Sequence, residues 1–420
     1  MDSSIDEQIV DFIVEEILPD GSVVSVDGPP ASAPLAGTGT VYADLVKIGI
    51  STLDAAARIA AALGLDQGQV GYAGIKDAVA LTSQRISIRG ASIDAVSQLQ
   101  IPGLALRHVS VGKGAVQVGT LSGNRFTILI RTEVAPDQAL LDRFAAISRD
   151  GALNYYGPQR FGSPRFLSHV FGLHLLRGDS ESLIRSYCVD ESPFELPYAA
   201  LVRHTAAEQL ADPKAAMAIF DELPYTFRYE RVMLEHLANH PGDFRGAVFT
   251  VSKQADLWAR AYASLLANRA LARLVAGALP DQIPLLLSKD SGARVFYAAD
   301  LARDGTADFL RALQQFLFIH LGDKPMLATF VRPRVHGARA VPAGLVVSFS
   351  LPKAAYATTF LMNLFNLVTG LPVPAWVATD DVDAKETLGT GSLADLRQTF
   401  SIELEGFRAR RALEVNNPTS

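Results

Sequence analysis

The clearest pattern in the chain is the alternation over residues 125–131, where Phe126, Ile128 and Ile130 share one side and Arg125, Thr127 and Arg131 share the other. A period of two predicts a strand with one buried face, and it sets Phe126 opposite the arginines. Looser alternation predicts strands over residues 9–18, which include Phe12, and over residues 40–48. Between them, Gly28-Pro29-Pro30-Ala31-Ser32-Ala33-Pro34-Leu35-Ala36-Gly37-Thr38-Gly39 has almost nothing to bury and reads as a mobile loop. Ser51 or Thr52 caps a helix over residues 53–63, with Leu53, Ala57, Ala60 and Leu63 near one face and Gly64 as its stop. Strand, helix and strand signals follow over 83–89, 91–99 and 104–111, and residues 136–150 form an amphipathic pattern that Gly151 ends.

From about residue 164 to about residue 343 the periodicity turns helical, with candidates near 182–187, 213–223, 230–239, 256–278 and 308–318. Alternation resumes at Leu345-Val346-Val347-Ser348-Phe349. Strands interrupted by helices, with no internal repeat, predict an α+β sheet domain. The shift divides the chain into a sheet domain made of residues 1–163 and 344–420, interrupted by an inserted domain over 164–343.

A chain of 420 residues has room for two such domains. No apolar run reaches the roughly 18 residues of a membrane span, and the acidic start Met1-Asp2-Ser3-Ser4-Ile5-Asp6-Glu7 is not a signal peptide, so the expectation is a cytoplasmic protein with no membrane partner. Cys188 is the one cysteine, which rules out an internal disulfide and a cysteine-based metal cluster and agrees with a reducing compartment. The net charge of −6 argues against a nucleic-acid partner, because phosphate neutralisation drives much of such binding. Its distribution argues the other way. Residues 1–75 carry eleven acids against Lys47 and Arg58, a balance of −9. Residues 76–131 carry Lys76, Arg85, Arg89, Arg107, Lys113, Arg125 and Arg131 against Asp77 and Asp94, a balance of +5. A local basic surface steers RNA even when the whole chain is acidic.

The candidate chemistry lies in Gly71-Tyr72-Ala73-Gly74-Ile75-Lys76-Asp77-Ala78-Val79-Ala80-Leu81-Thr82-Ser83-Gln84, between a helical pattern and a strand. Two glycines, an adjacent Lys-Asp pair, a Thr and a Gln are poor core material and good site material. Gly74 permits backbone angles that a β-carbon forbids, so a turn there sets Asp77 at a loop tip or strand edge. The plain alternative is a surface turn with a solvated ion pair.

Gly74-Ile75-Lys76-Asp77 followed by Ala80-Leu81-Thr82-Ser83-Gln84 resembles the central motif of the TruD family of pseudouridine synthases. Three more stretches resemble that family in the same chain order: Gly123-Asn124-Arg125-Phe126-Thr127-Ile128, Asn154-Tyr155-Tyr156-Gly157-Pro158-Gln159-Arg160-Phe161-Gly162, and Leu351-Pro352-Lys353-Ala354-Ala355-Tyr356-Ala357-Thr358. The resemblance implies a pseudouridine-synthase-type catalytic domain with a mixed, largely antiparallel sheet, interrupted by the family's own α+β insertion. It implies an isomerase that converts a flipped-out uridine of RNA, most typically uridine 13 of tRNA, to pseudouridine without a cofactor or metal.

On that resemblance Asp77 is the catalytic carboxylate, with an ordinary pKa near 3.9 that nearby cations push lower. Phe126 packs against the target base, and Asn124 bonds near the uridine or Asp77. Phe12 matches the aromatic of the family's N-terminal signature, of which Asp11-Phe12 remains. Lys76 holds a phosphate or a structural partner, and Gln84 belongs to the same substrate-binding set. Arg160, Phe161, Tyr155 and Tyr156 line the RNA cleft or form a hinge between domains.

The sequence also departs from the family pattern. Asp6 stands where a basic residue usually precedes Phe12, Ala78 stands where Lys or Arg is usual, and the insertion's motif reads Ala261-Tyr262-Ala263-Ser264, with Asn268 retained. These changes keep open an RNA-binding or RNA-chaperone protein of the same fold, and a hydrolase working through Asp77. His236 and His240 have the spacing of a metal pair but lack a third ligand, and Gly112-Lys113-Gly114 is too short for a phosphate loop.

Overall fold

The computed structural model describes residues 1–5, 8–34, 36–274, 280–353, 355–367 and 374–416. Asp6, Leu35, Ala354 and the last four residues of the helix expected over 256–278 lie outside the described residues. The chain divides into two compact units, one of Met1–Ala152 with Val331–Ser420 and one of Leu153–Phe330.

These limits differ from the composition shift for local reasons. Residues 154–156 lack helical periodicity, yet Asn154 bonds through its backbone to Thr329 and through its side chain to Ala328. At the other end the strand Arg334–Val341 belongs to the first unit's sheet, and Arg334, His336 and Arg339 hide it from a search for alternation.

In the first unit the main sheet contains β1 (Asp2–Ser4), β2 (Phe12–Ile17), β3 (Val23–Val24), β4 (Thr40–Ile48), β5 (Val70–Tyr72), β6 (Leu81–Arg89), β7 (Leu104–Gly112) and β8 (Gly123–Thr132). It is completed by β9 (Arg334–Val341), β10 (Gly344–Pro352) and β11 (Asn366–Leu367). Its long path runs β9-β10-β8-β2-β6-β4-β7, with β5 beside β6 and β3 beside β2. The β2–β6 and β1–β11 pairs are parallel, and the other strand pairs of this sheet are antiparallel. The sheet is therefore mixed and largely antiparallel, in an α+β unit.

Register decides what each face carries. Val14 pairs with Phe126 and Thr82, and Phe126 with Phe349, so these side chains share one face with Phe12, Ile128, Glu16, Asn124 and Gln84. Helix α1 (Thr52–Ala62) covers one end of that face, Ala55, Ala56, Ile59 and Ala60 packing on Val41, Ala43, Leu45, Ile86 and Ile88. Ser51 caps α1 by accepting from the Asp54 amide at 3.1 Å. Helix α2 (Gln138–Asp150) covers the other end with Phe144, and Gly151 ends it at φ +84°. The opposite face packs Ile13, Val46, Ile48 and Leu81 against Leu393, Leu396, Phe400 and Leu404.

The basic excess of residues 76–131 is largely neutralised inside this unit. Arg131 holds Asp11, Arg125 holds Glu15, Arg85 holds Asp44 and Lys76 holds Glu16. Arg107 donates to the Gly28 carbonyl at 3.0 Å and Arg85 to that of Ser32 at 3.0 Å. The expectation that these cations form an RNA-steering surface is corrected: most serve the fold, and two tie down the proline-rich segment expected to move.

The second unit is mostly helical and packs around the helix Ser252–Leu274, which buries Trp258, Tyr262, Leu266, Ala270 and Leu271. Gly172 on the helix Ser168–Arg177 lets it cross closely, since a β-carbon there would lie 2.0 Å from the Trp258 carbonyl oxygen. A two-stranded ladder, Gln282–Pro284 with Met326–Ala328, adds the β part. Among the described residues, no helix is long and apolar enough to cross a membrane.

Candidate active site

The stretch singled out by its polar content is the loop joining β5 to β6, and nearly every peptide at its start is held. The Gln84 side chain donates to the Gly74 carbonyl at 3.1 Å and accepts from the Thr52 hydroxyl at 3.0 Å. That hydroxyl accepts from the Lys76 amide at 2.9 Å, and the Gly119 amide donates to the Ala73 carbonyl at 2.7 Å. Lys47, at the end of β4, donates through Nζ to the Asp77 carbonyl at 2.7 Å and to the Ile50 carbonyl at 2.7 Å. Gly74 does not take a positive φ, and a β-carbon there would make only ordinary contact with Leu121 and Lys76. The turn is thus shaped by its hydrogen bonds, and the expected glycine freedom is not what forms it.

Lys76 and Asp77 separate into opposite environments, as adjacent residues of an extended segment do. Lys76 is 4% exposed; its Nζ lies 2.8 Å from a Glu16 carboxylate oxygen and donates to Asn124 Oδ1 at 2.7 Å. The ammonium is engaged inside the sheet domain, which is the structural pairing expected of it. Burial pushes the Glu16 carboxyl above the usual range, with Lys76 pulling against it. Asp77 is exposed, flanked by the exposed apolar side chains of Ile75 at 68% and Val79 at 51%. The protein around it still removes enough water to raise its carboxyl above the ordinary value, with Lys47 first and Lys76 more weakly opposing. The expectation of a lowered pKa is corrected: desolvation outweighs both cations, neither of which forms a salt bridge with this carboxylate among the described residues.

The strand that carries Asn124 and Phe126 meets the loop through Lys76. Gly123 begins that strand against Leu351, where a β-carbon would lie 2.2 Å from the Leu351 carbonyl oxygen, so only glycine fits. Lys353 then donates its amide to Ser122 at 3.2 Å and its ammonium to Gly119 at 3.2 Å. Three of the four motif stretches are thereby joined within the first unit. Phe126 is only 5% exposed, stacked on Phe349 at 5.5 Å with Phe12 edge-on at 6.2 Å. Phe12, 7% exposed, is a wall of the same core. Gln84 is fully buried with both ends of its amide engaged, so it shapes the loop and does not face a ligand.

The fourth motif stretch, residues 154–162, belongs to the second unit. There the Arg160 guanidinium lies 5.1 Å from the Tyr156 ring centre, and Asn268 clamps the Tyr156 backbone by accepting at 2.8 Å and donating at 2.9 Å. His236 meets Asp243 at 3.0 Å and stacks on His240. Sequence reasoning missed Lys47, Glu16 and Thr52. For the two charges the signal is phase: Val41, Ala43, Leu45 and Lys47 fall on one side of β4, and Phe12, Val14 and Glu16 on one side of β2, so each charge ends an apolar row.

Comparison with known proteins places the whole chain. The family model described as tRNA pseudouridine synthase D (TruD) matches residues 1–285. The chain is 32% identical over 351 residues to the "Probable tRNA pseudouridine synthase D" of Methanopyrus kandleri, covering 77% of this chain and 84% of that one. It is 30% identical over 402 residues to the tRNA pseudouridine synthase D of Geobacter metallireducens, covering 86% and 95%. A crystal structure assigned to TruD from Methanosarcina mazei superposes with a TM-score of 0.68 at 21% identity, over 86% of this chain and 93% of that one, a likeness of fold.

Proposed function

The chain belongs to the TruD family of tRNA pseudouridine synthases, isomerases that turn uridine into pseudouridine, and from that premise we propose that Asp77 is the carboxylate that carries the reaction on a tRNA uridine. The observation that supports this most is the separation of two neighbours: Lys76 is turned inward to Glu16 and Asn124, while Asp77 is left exposed between Ile75 and Val79. A carboxylate with apolar flanks suits a ligand that is part ribose and part planar base.

Isomerisation breaks the bond from ribose C1′ to uracil N1 and joins C1′ to C5. N1 gains a proton and C5 loses one, so the balance needs no oxidant or reductant. An anionic Asp77 serves each available route: attack at C1′, addition to the pyrimidine ring, or removal of a sugar proton. Its raised pKa makes it a stronger base than a solvated aspartate. Phe126 forms the apolar floor of the base site, with Phe12 and Phe349 fixing its ring. Asn124 presents its amide nitrogen, since its oxygen is taken by Lys76. Arg160 and Tyr156 contact the RNA.

The target we assign is uridine 13 of tRNA. Unmodified tRNA transcripts treated with the protein, then with a carbodiimide that marks pseudouridine for primer extension, give a stop at that position. A stop at another uridine reassigns the target, and free uracil in place of a stop makes the protein a hydrolase.

A further inference from the structure

We propose that Lys47 is a positioning residue for the isomerisation: its buried ammonium fixes the Asp77 peptide and supplies positive charge beneath the reacting carboxylate. The inference rests on the reading of Asp77 given above. Lys47 is fully buried, and its Nζ donates at 2.7 Å to both Asp77 O and Ile50 O. It thus pins the main chain of the one exposed carboxylate of the loop to the end of β4.

Two features say that more than a clamp is involved. A backbone carbonyl is satisfied by any neutral donor, whereas an interior ammonium without a salt-bridged carboxylate carries a desolvation cost. That cost is visible in the Lys47 pKa, which burial pushes down to about 8 against the pull of Asp77. The second feature is Thr82, which pairs with Lys47 across β6 and carries a buried hydroxyl with no hydrogen-bond partner among the described residues. Unsatisfied groups of this kind are rare in a stable interior. Here one sits beside an ammonium that uses two of its three protons on carbonyls.

The other charges around the loop do not replace Lys47. Lys76 is held by Glu16 of β2 and Asn124 of β8. Arg58 of α1 and Glu403 of the helix Ser401–Asn416 line a separate cavity with Ile48, Gly49 and Ile50. Thr52 and Gln84 are neutral and bonded to each other. Lys47 is therefore the cation through which Asp77 is held and tuned from below.

The test is tritium release from RNA labelled at uridine C5, measured from about pH 5 to about pH 9.5 for wild type, Lys47→Met, Lys47→Arg and Asp77→Asn, with RNA affinity measured alongside. Lys47→Met is expected to lose at least about tenfold in kcat with KM within about twofold, and to move the acid limb to higher pH because a cation near Asp77 is gone. Wild type is expected to lose activity as pH rises through about 8, and Lys47→Arg, which stays charged, to keep it. A wild-type kcat and pH profile in Lys47→Met overturns the proposal. If that variant does not fold, an alkaline limb in Lys47→Arg unchanged from wild type overturns it instead. Asp77→Asn separates the two readings: an active variant removes the Asp77 assignment and this one together, whereas an inactive one beside normal Lys47 variants removes only this one.

Discussion

The Lys76 ammonium donates to the Asn124 side-chain oxygen at 2.7 Å, so the residue beside the exposed carboxylate is fastened to the strand that carries Phe126. The same ammonium is the counter-charge of buried Glu16. Removing it leaves a carboxylate alone in the interior. Lys76→Met is expected to cost about 3–5 kcal/mol in urea unfolding, and Glu16→Gln added to it to recover most of that loss. If the double variant is no more stable than the single one, the ion pair is not what holds this corner together.

Lys47 makes stability depend on pH in a definite direction. Its folded pKa of about 8 lies below the unfolded value of 10.5, so between these two pH values the unfolded chain binds the extra proton. Stability contributed at this residue therefore rises from about pH 8 to about pH 10.5, by an amount on the order of 3 kcal/mol. The difference between wild type and Lys47→Met, followed by denaturant unfolding across that range, isolates the effect from other groups that titrate there. A difference that stays constant means the ammonium is not desolvated.

Phe126 does two jobs that different substitutions separate. Phe126→Ala opens a cavity under Phe349 and Phe12 and is expected to cost about 3–5 kcal/mol of stability. Phe126→Leu keeps most of the volume and is expected to cost less than about 1.5 kcal/mol. If the ring floors the base site, the leucine variant still loses the roughly 1–3 kcal/mol of a base–aromatic contact, read as a fall in kcat/KM for RNA. A leucine variant with wild-type kinetics makes Phe126 a core residue alone.

The sheet was legible where side chains alternate and hidden where charge interrupts the alternation. Residues 40–48 and 125–131 read as strands because one face carries three successive apolar side chains, whereas Arg334–Val341 did not, its arginines and His336 lying on an edge strand. The site was legible as a list of residue types but not as an arrangement. Nothing local in the sequence says that Lys76 points inward or that Gln84 is buried, because both depend on which strand lies alongside. Charge counting failed for the same reason. A total says how many cations a segment holds, but Arg85, Arg125 and Arg131 find their carboxylates on segments far away in sequence. Lys47 and Glu16 were readable in principle, as charges in phase with apolar rows, and the phase rather than the charge is the signal to look for.

The most direct measurement is tritium release from tRNA labelled at uridine C5, comparing wild type with Asp77→Asn, with RNA affinity measured for both. Forming a carbon–carbon bond at C5 must expel that hydrogen. The account predicts steady release by wild type, and release by Asp77→Asn lower by at least about a thousandfold at unchanged RNA affinity. Release by Asp77→Asn at the wild-type rate, or none from wild type on any tRNA it binds, contradicts it.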